Sequence, residues 1–154
     1  MYKYMNYLFI LNDLEMGRNS FSYDEILGTL LKNSEWIFTK LKNFNSEKFV
    51  EGDKIVLYGA GKTRRCFVGK FEIAGKSYDL INKDGFYKYF DKGIKIKNIN
   101  IWDNPVYIKD IKENLDFIKD KKNYGLHLRQ TSRKLEEKDY NYIINKARLN
   151  NYKS

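Results

Sequence analysis

The sequence predicts a single α+β domain, a small, curved, mostly antiparallel β-sheet or partly open barrel with helices on its flanks. Three observations carry this. Apolar patterning gives the order strand, helix, hairpin, strand, helix, strand, helix. The hairpin, with "GAGKTRR" at its tip, demands antiparallel pairing. A slip of apolar phase inside "IKIKNINI" puts a bulge, and so curvature, near Asn98. A chain of 154 residues buries roughly 70% of its unfolded surface, enough for a core without disulfide or metal staples.

The first run, Tyr4 to Leu11, is apolar at successive positions and reads as a strand buried on both faces, closed by Asn12 and Asp13. A helix follows in "SFSYDEILGTLLKN", started by a Ser22/Glu25 capping box, with Ile26, Leu27, Leu30 and Leu31 on one face and Gly28 as its weak point. "SEWIFTKLKNF" has no clear period and reads as an irregular excursion with a short extended piece. Gly52-Asp53 is a turn signal before the hairpin strands, Lys54 to Tyr58 and Arg65 to Ala74. The second of these places Phe67, Gly69, Phe71 and Ile73 on one face.

A polar and aromatic connection with a turn at Lys83-Asp84-Gly85 leads to the bulged strand. Pro105 starts the next unit, a helix with Ile108, Ile111, Leu115 and Ile118 on one side. Tyr124, Leu126 and Leu128 alternate with Gly125, His127 and Arg129, so Tyr124 to Gln130 is expected to be a strand that closes the sheet. The last helix has Glu136 at its N-cap, Asp139 three residues on as in an acidic capping box, and a Leu135/Tyr140 staple. Its inner face is Tyr140, Ile143, Ile144 and Ala147. One domain over residues 2–149 and a frayed tail over 150–154 complete the expectation.

Composition narrows the function. The net charge is +9, and the chain carries 13 Tyr, 10 Phe and 2 Trp. Positive charge attracts polyanions and aromatic faces stack on bases, although scattered lysines are also what an AT-rich genome produces. Cys66 and His127 are each the only residue of their type, which excludes an internal disulfide and a Cys/His metal set. One thiol and no signal peptide lead to the expectation of a cytoplasmic protein, and "YMNYLFILN" is too short to span a membrane.

"GAGKT" imitates a phosphate-binding loop, but the motif needs glycine where Val56 stands and a helix where "RRCFVGKF" alternates like a strand. It reads instead as a hairpin loop whose Lys62, Arg64 and Arg65 can touch a phosphate backbone. No nucleophile constellation is visible, His127 reads as structural and Cys66 as a small core residue. No cofactor and no enzyme activity are expected.

The ordered set "YLFILN", "EWIF", "VEGDKIVLYGAG", "GKFEI" and "LDFIKDKKNYGLHLRQTSRKLEEKDY" resembles the EVE domain, a member of the PUA-like superfamily, over about Asn6 to Ile144. It is most similar to the small archaeal single-domain members. The resemblance implies a curved pseudo-barrel with a pocket for a base, often a modified one. Residue by residue, it implies that Asn12 stands beside the pocket and that Trp36, with Phe38 near it, is a stacking wall. Tyr58 and Gly59 end the strand facing this region, and Arg129 and Arg133 match two family arginines. Family members usually carry Tyr-Tyr-Asp-Asp, a proline and a large apolar residue after the Gly-x-Phe-Glu strand. Here "SYDLINKDGFYKY" stands there, and Tyr78 and Asp79 are the loose counterparts.

The physical roles fit that reading. A flipped base needs flat apolar faces and a few directed polar groups. Trp36 offers a face, Asn12 can donate and accept, and Arg129 and Arg133 can clamp a phosphate. Each residue also has a structural reading: Trp36 as core, Asn12 as a strand-end cap, Arg129 as an ion-pair partner for the last helix, and Trp102 as a turn residue. The sequence therefore favours a non-enzymatic nucleic-acid module that takes a flipped or single-stranded base of RNA or DNA, plain or modified. A small-molecule binder or enzyme using the same pocket is the alternative. A protein-interaction module using the aromatic "GFYKYF" loop ranks last.

Overall fold

The computed structural model describes residues 4–39, 44–128 and 131–152. Asn6–Leu11 forms β1, and a small hairpin, β2 (Leu14–Met16) and β3 (Asn19–Phe21), leads into helix α1 (Tyr23–Asn33). Then come β4 (Glu35–Phe38), β5 (Lys54–Gly59), β6 (Cys66–Ile73), β7 (Tyr78–Asp79) and the long β8 (Lys92–Tyr107). One turn of helix α2 (Ile108–Ile111), strand β9 (Ser132–Leu135) and helix α3 (Glu137–Asn150) finish the chain. The main sheet has the order β4-β8-β6-β5-β1-β9, with β7 paired to β8 beside that path. It is antiparallel except where β1 runs parallel to β5, and it curls into a half-barrel flanked by the helices.

Period-two patterning buries both faces of the sheet. Tyr7 and Phe9 of β1, Ile55 and Leu57 of β5, and Phe71 and Ile73 of β6 meet Ile26 and Leu30 of α1 in one core cluster. Leu8, Val56 and Tyr58 face the other way, into a cluster completed by α2 and by Tyr140, Ile143, Ile144 and Ala147 of α3. Serine at position 22 caps α1 by accepting from the Glu25 amide at 3.1 Å, as the sequence requires.

The bulge expected near Asn98 is present: Asn98 has φ 53°, and β8 carries one residue too many between the pairs Lys70↔Asn100 and Glu72↔Lys97. Two further irregularities correct the sequence reading. Between Leu57↔Gly69 and Tyr58↔Phe67, β6 has an extra residue, Val68, so Phe67 turns into the second cluster while Phe71 and Ile73 stay in the first. Between Gly69↔Ile101 and Phe67↔Val106 the ladder skips, and Pro105 lies in that gap, inside β8 rather than at the start of a new unit. A residue without an N–H fits where no ladder bond is made. Gly69 is required here: a Cβ would stand 2.6 Å from the Asn100 carbonyl oxygen.

The helix expected through Ile118 ends after one turn at Ile111, followed by a 3₁₀ turn at Lys112–Asn114. The backbone leaves helical geometry at Ile111 (φ −129°), and further on the Asp139 carboxylate accepts the amides of Asp116 at 2.8 Å and Phe117 at 2.9 Å, holding the irregular segment in place. Glu136 is the N-cap of α3, but the acidic capping box does not form, because Asp139 is turned to this other task. Tyr124–Leu128 is a 3₁₀ helix, not a strand; Asp120 holds the Asn123 amide at 2.9 Å and tightens the turn. The strand that closes the sheet is β9, paired with β1. Asn150 and Asn151, expected to begin a frayed tail, are hydrogen-bonded to Pro105 and Asn104 of β8. Phe86 and Tyr87 of the "GFYKYF" stretch are buried in the first cluster, so that stretch is core rather than a presented surface. No helix among the described residues is long and apolar enough to cross a membrane.

Candidate functional site

Where β1 ends, the chain leaves the sheet at Asn12 and a cavity of about 400 Å³ opens. Its floor is apolar: Ile10 and Leu11 of β1, Ile26 and Leu30 of α1, and Trp36, Ile37 and Phe38 of β4. Its rim is made by Asn12, Asp13, Thr39, Ala60, Leu128 and Thr131. An apolar pocket with a few convergent polar groups is the usual form of a small-ligand site.

Trp36 occupies two roles at once. It is 4% exposed and sits between Phe9 at 5.8 Å and Phe71 at 5.4 Å, ring centroid to centroid, yet it also lines the cavity. Phe38 packs edge-on against Phe9 and stacks on Phe49 at 5.5 Å while reaching the same cavity. Both come from β4, whose four residues are all buried, which explains the missing period in the sequence.

Asn12 is held at the rim. Its Oδ1 accepts the Asp13 amide at 2.7 Å and the Arg64 guanidinium at 3.1 Å. The acceptor end is thereby used, and the Nδ2 group, with no partner among the described residues, is the end left for a ligand. Arg64 is committed to the fold: Nε donates to the Ala60 carbonyl at 2.6 Å, the head group pairs with Asp13 at 3.4 Å, and it lies 4.5 Å over the Tyr23 ring. Burial pushes the Tyr23 hydroxyl up to about 12. Lys62 and Arg65 of the same loop are exposed and form no ion pair among the described residues. Sequence reasoning treated the three cations alike, whereas the fold spends one and leaves two.

Asp13, which the sequence marks only as a strand closer, is a hinge between β1, the basic loop and α1. Its Oδ1 accepts the Tyr23 amide at 2.7 Å. That amide first, and Arg64 second, hold its carboxyl below the ordinary 3.8. A depressed carboxylate contributes fully above the unfolded value and loses its contribution as pH falls through the folded one. The Tyr23 amide resonance is therefore expected to titrate below pH 3.8, and to stop titrating in Asp13→Asn. A midpoint at or above the ordinary value would refute this linkage.

Other expected site residues lie elsewhere. Tyr78 does not reach the cavity; its hydroxyl and that of Tyr87, the latter at 2.9 Å, donate to the carboxylate of Glu35, which is 8% exposed. Burial first, then the bond to Glu35, raises the Tyr78 pKa. The pair ties β7 and the Gly85–Tyr89 turn to β4. Gly59 packs against Tyr23, and Tyr58 lines a different cleft. Arg133 lies over the Phe117 ring at 4.9 Å and donates to the His127 carbonyl at 3.1 Å, so it braces the 3₁₀ turn. Arg129 falls outside the described residues. His127 Nε2 accepts the Asp120 amide at 3.0 Å, a structural role, and burial pushes the Cys66 thiol up. No cluster among the described residues has the composition of a metal site.

Thr39, Ala60, Leu128 and Thr131 are the rim residues that sequence reasoning missed. Each sits at or next to the end of an observed element, and those ends were not the ones the sequence marks for Thr39 and Leu128.

The EVE domain model matches residues 14–146. No match is found among curated proteins. Among solved structures, human THYN1 in complex with 5-methylcytosine-containing DNA is 11% identical with a TM-score of 0.63, covering 93% of this chain and 97% of that one. The YTH domain of Zygosaccharomyces rouxii MRB1, in complex with N6-methyladenosine RNA, is 14% identical with a TM-score of 0.58, covering 92% and 86%. A hypothetical protein from Leishmania major reaches 0.64 at 15% identity, covering 96% of each chain. At such identities the structural likeness is one of fold alone. The family match spans most of the sequence, and the curled half-barrel is the fold its resemblance implied. The chain belongs to the EVE domain family.

Proposed function

We propose that this protein is a non-enzymatic nucleic-acid reader that draws one flipped or single-stranded base into the cavity at the end of β1. The observation that carries the reading is the geometry of Asn12. With Oδ1 satisfied by the Asp13 amide and Arg64, its Nδ2 donors are available to an acceptor on a base edge, beside the apolar walls of Trp36 and Phe38. Lys62 and Arg65 would meet the phosphate backbone, and Gly61, next to Lys62, brings that loop against Asn12. Arg129, between the rim residues Leu128 and Thr131 in sequence, is the further phosphate candidate. Two structures of similar fold are complexes with 5-methylcytosine-containing DNA and with N6-methyladenosine RNA, which supports a modified base as the ligand.

Quenching of Trp36 fluorescence in a Trp102→Phe background tests this, using short DNA and RNA strands with and without 5-methylcytosine or N6-methyladenosine. Asn12→Asp keeps an acceptor for Arg64 but replaces the amide donor. It is expected to weaken binding by on the order of 1–3 kcal/mol, because a hydrogen bond is replaced by a repelled acceptor pair. The affinity of the wild type should fall with salt by about 0.7 log units per log unit for each phosphate neutralised on a single strand. Quenching by free nucleosides and by no oligonucleotide would instead establish the small-molecule reading.

A further inference from the structure

A second cleft, of about 330 Å³, lies across a ridge from the base cavity. Ala60 and Leu128 line both. The ridge is rigid on the Ala60 side, where the amide donates to the Leu11 carbonyl at 2.8 Å and the carbonyl accepts from Arg64. The cleft beyond it holds Tyr58, Arg65, Lys122 and Tyr124 and contains no acidic residue. The larger open cleft of about 590 Å³, beside β4, differs in this respect: Glu47, Asp79 and Asp91 line it.

Tyr58 is the telling residue. Its side chain is 2% exposed yet lines the cleft, and its hydroxyl makes no hydrogen bond to the described residues. A phenolic hydroxyl that opens onto a cleft can donate to an acceptor bound there. Two cations flank it. Arg65 is kept at φ 52°, a conformation non-glycine residues seldom adopt, and is exposed with no ion pair among the described residues. Lys122 stands on the turn that Asp120 and Asn123 tighten, and it too is exposed and unpaired. The Lys112 ammonium, 5.0 Å from the Tyr124 ring centroid, adds positive charge behind the wall.

We propose that this cleft is a phosphodiester subsite, in which the Tyr58 hydroxyl, Arg65 and Lys122 hold the phosphate next to the base seated across the Ala60–Leu128 ridge. The assignment rests on the base-cavity reading and extends it by fixing where the strand leaves the pocket. One hydroxyl and two cations converging on a concave, acid-free surface match a phosphate's charge and its acceptor oxygens.

Amide spectra of the 15N-labelled chain, recorded with inorganic phosphate and with the oligonucleotides of the quenching assay, test it. The proteins are the wild type, Tyr58→Phe, and the Arg65→Gln/Lys122→Gln double variant. Phosphate alone is expected to shift Gly61, Tyr124 and Gly125 and to leave Leu11 and Thr39 in place. Oligonucleotide is expected to shift both groups. Tyr58→Phe should fold as the wild type does, since the lost hydroxyl makes no hydrogen bond to the described residues, and should bind oligonucleotide about threefold to tenfold more weakly. The double variant should lower the salt slope by about 0.7, the share of one phosphate on a single strand. Shifts at Leu11 and Thr39 with unchanged affinity and slope in both variants would overturn the subsite and leave the base reading standing. No shift of either group by any oligonucleotide would overturn both.

Discussion

Trp36→Ala is expected to lower stability by about 3–5 kcal/mol, the range for removing a large aromatic from a packed core. The ring fills the space between Phe9 and Phe71, and alanine would leave a cavity bounded by two phenylalanines that the strands β1, β4 and β6 cannot close. For a domain of this size that loss corresponds to a fall in melting temperature of roughly 10 °C or more. Urea or thermal unfolding measures it, and a loss below about 1.5 kcal/mol would mean that the ring is not seated between them as described. Binding lost in Trp36→Ala would therefore mix unfolding with loss of a stacking face. Trp36→Phe separates the two, because it keeps an aromatic at the site while reducing the surface offered to a base.

Asp139→Ala is expected to cost about 2–4 kcal/mol, because it leaves two inward backbone donors without acceptors. The carboxylate is 1% exposed and takes the amides of Asp116 and Phe117. It is what fastens the irregular segment after α2 to the first turn of α3. Asp139→Asn keeps one acceptor oxygen and should lie between the wild type and alanine. Hydrogen exchange gives the local readout: protection at Asp116 and Phe117 should fall selectively in both variants. Unchanged protection at those two amides would sink the assignment even if overall stability dropped.

Much of the fold was legible because local rules and tertiary packing agree. The Ser22 cap, the Asn98 bulge and the inner face of α3 follow from short-range signals that nothing in the tertiary structure opposes. The misreadings share a cause. Ile108, Ile111, Leu115 and Ile118 have helical spacing and are all buried, yet only the first turn is α-helical, and the segment beyond it is held by a carboxylate more than twenty residues away. Tyr124 to Leu128 alternates like a strand, but a 3₁₀ turn held by Asp120 also places Leu128 inside. Phe67 has the parity of Phe71, and an extra residue, Val68, turns it to the opposite face. Burial was read correctly for the four apolar residues after α2 and for Leu128, whereas Leu126 is exposed and Phe67 faces the other cluster.

The candidate site divides in the same way. Asn12, Trp36 and Phe38 converge on one cavity, and they stand where strand ends meet, positions that patterning can find. Arg64, Tyr78 and Arg133 carry the right chemistry in the sequence, but each is engaged by the fold: Asn12 and Ala60 for Arg64, Glu35 for Tyr78, and Phe117 with the His127 carbonyl for Arg133. Periodicity and composition by themselves determined the class of fold, the two-faced core and the positive charge, since these depend on which residues avoid water and on a sum over residue types. Only the tertiary structure decided which polar groups are already satisfied and which remain open to a ligand. A hydrogen bond needs its partner within about 3 Å and in line, and that is a property of elements brought together in space rather than of their order along the chain.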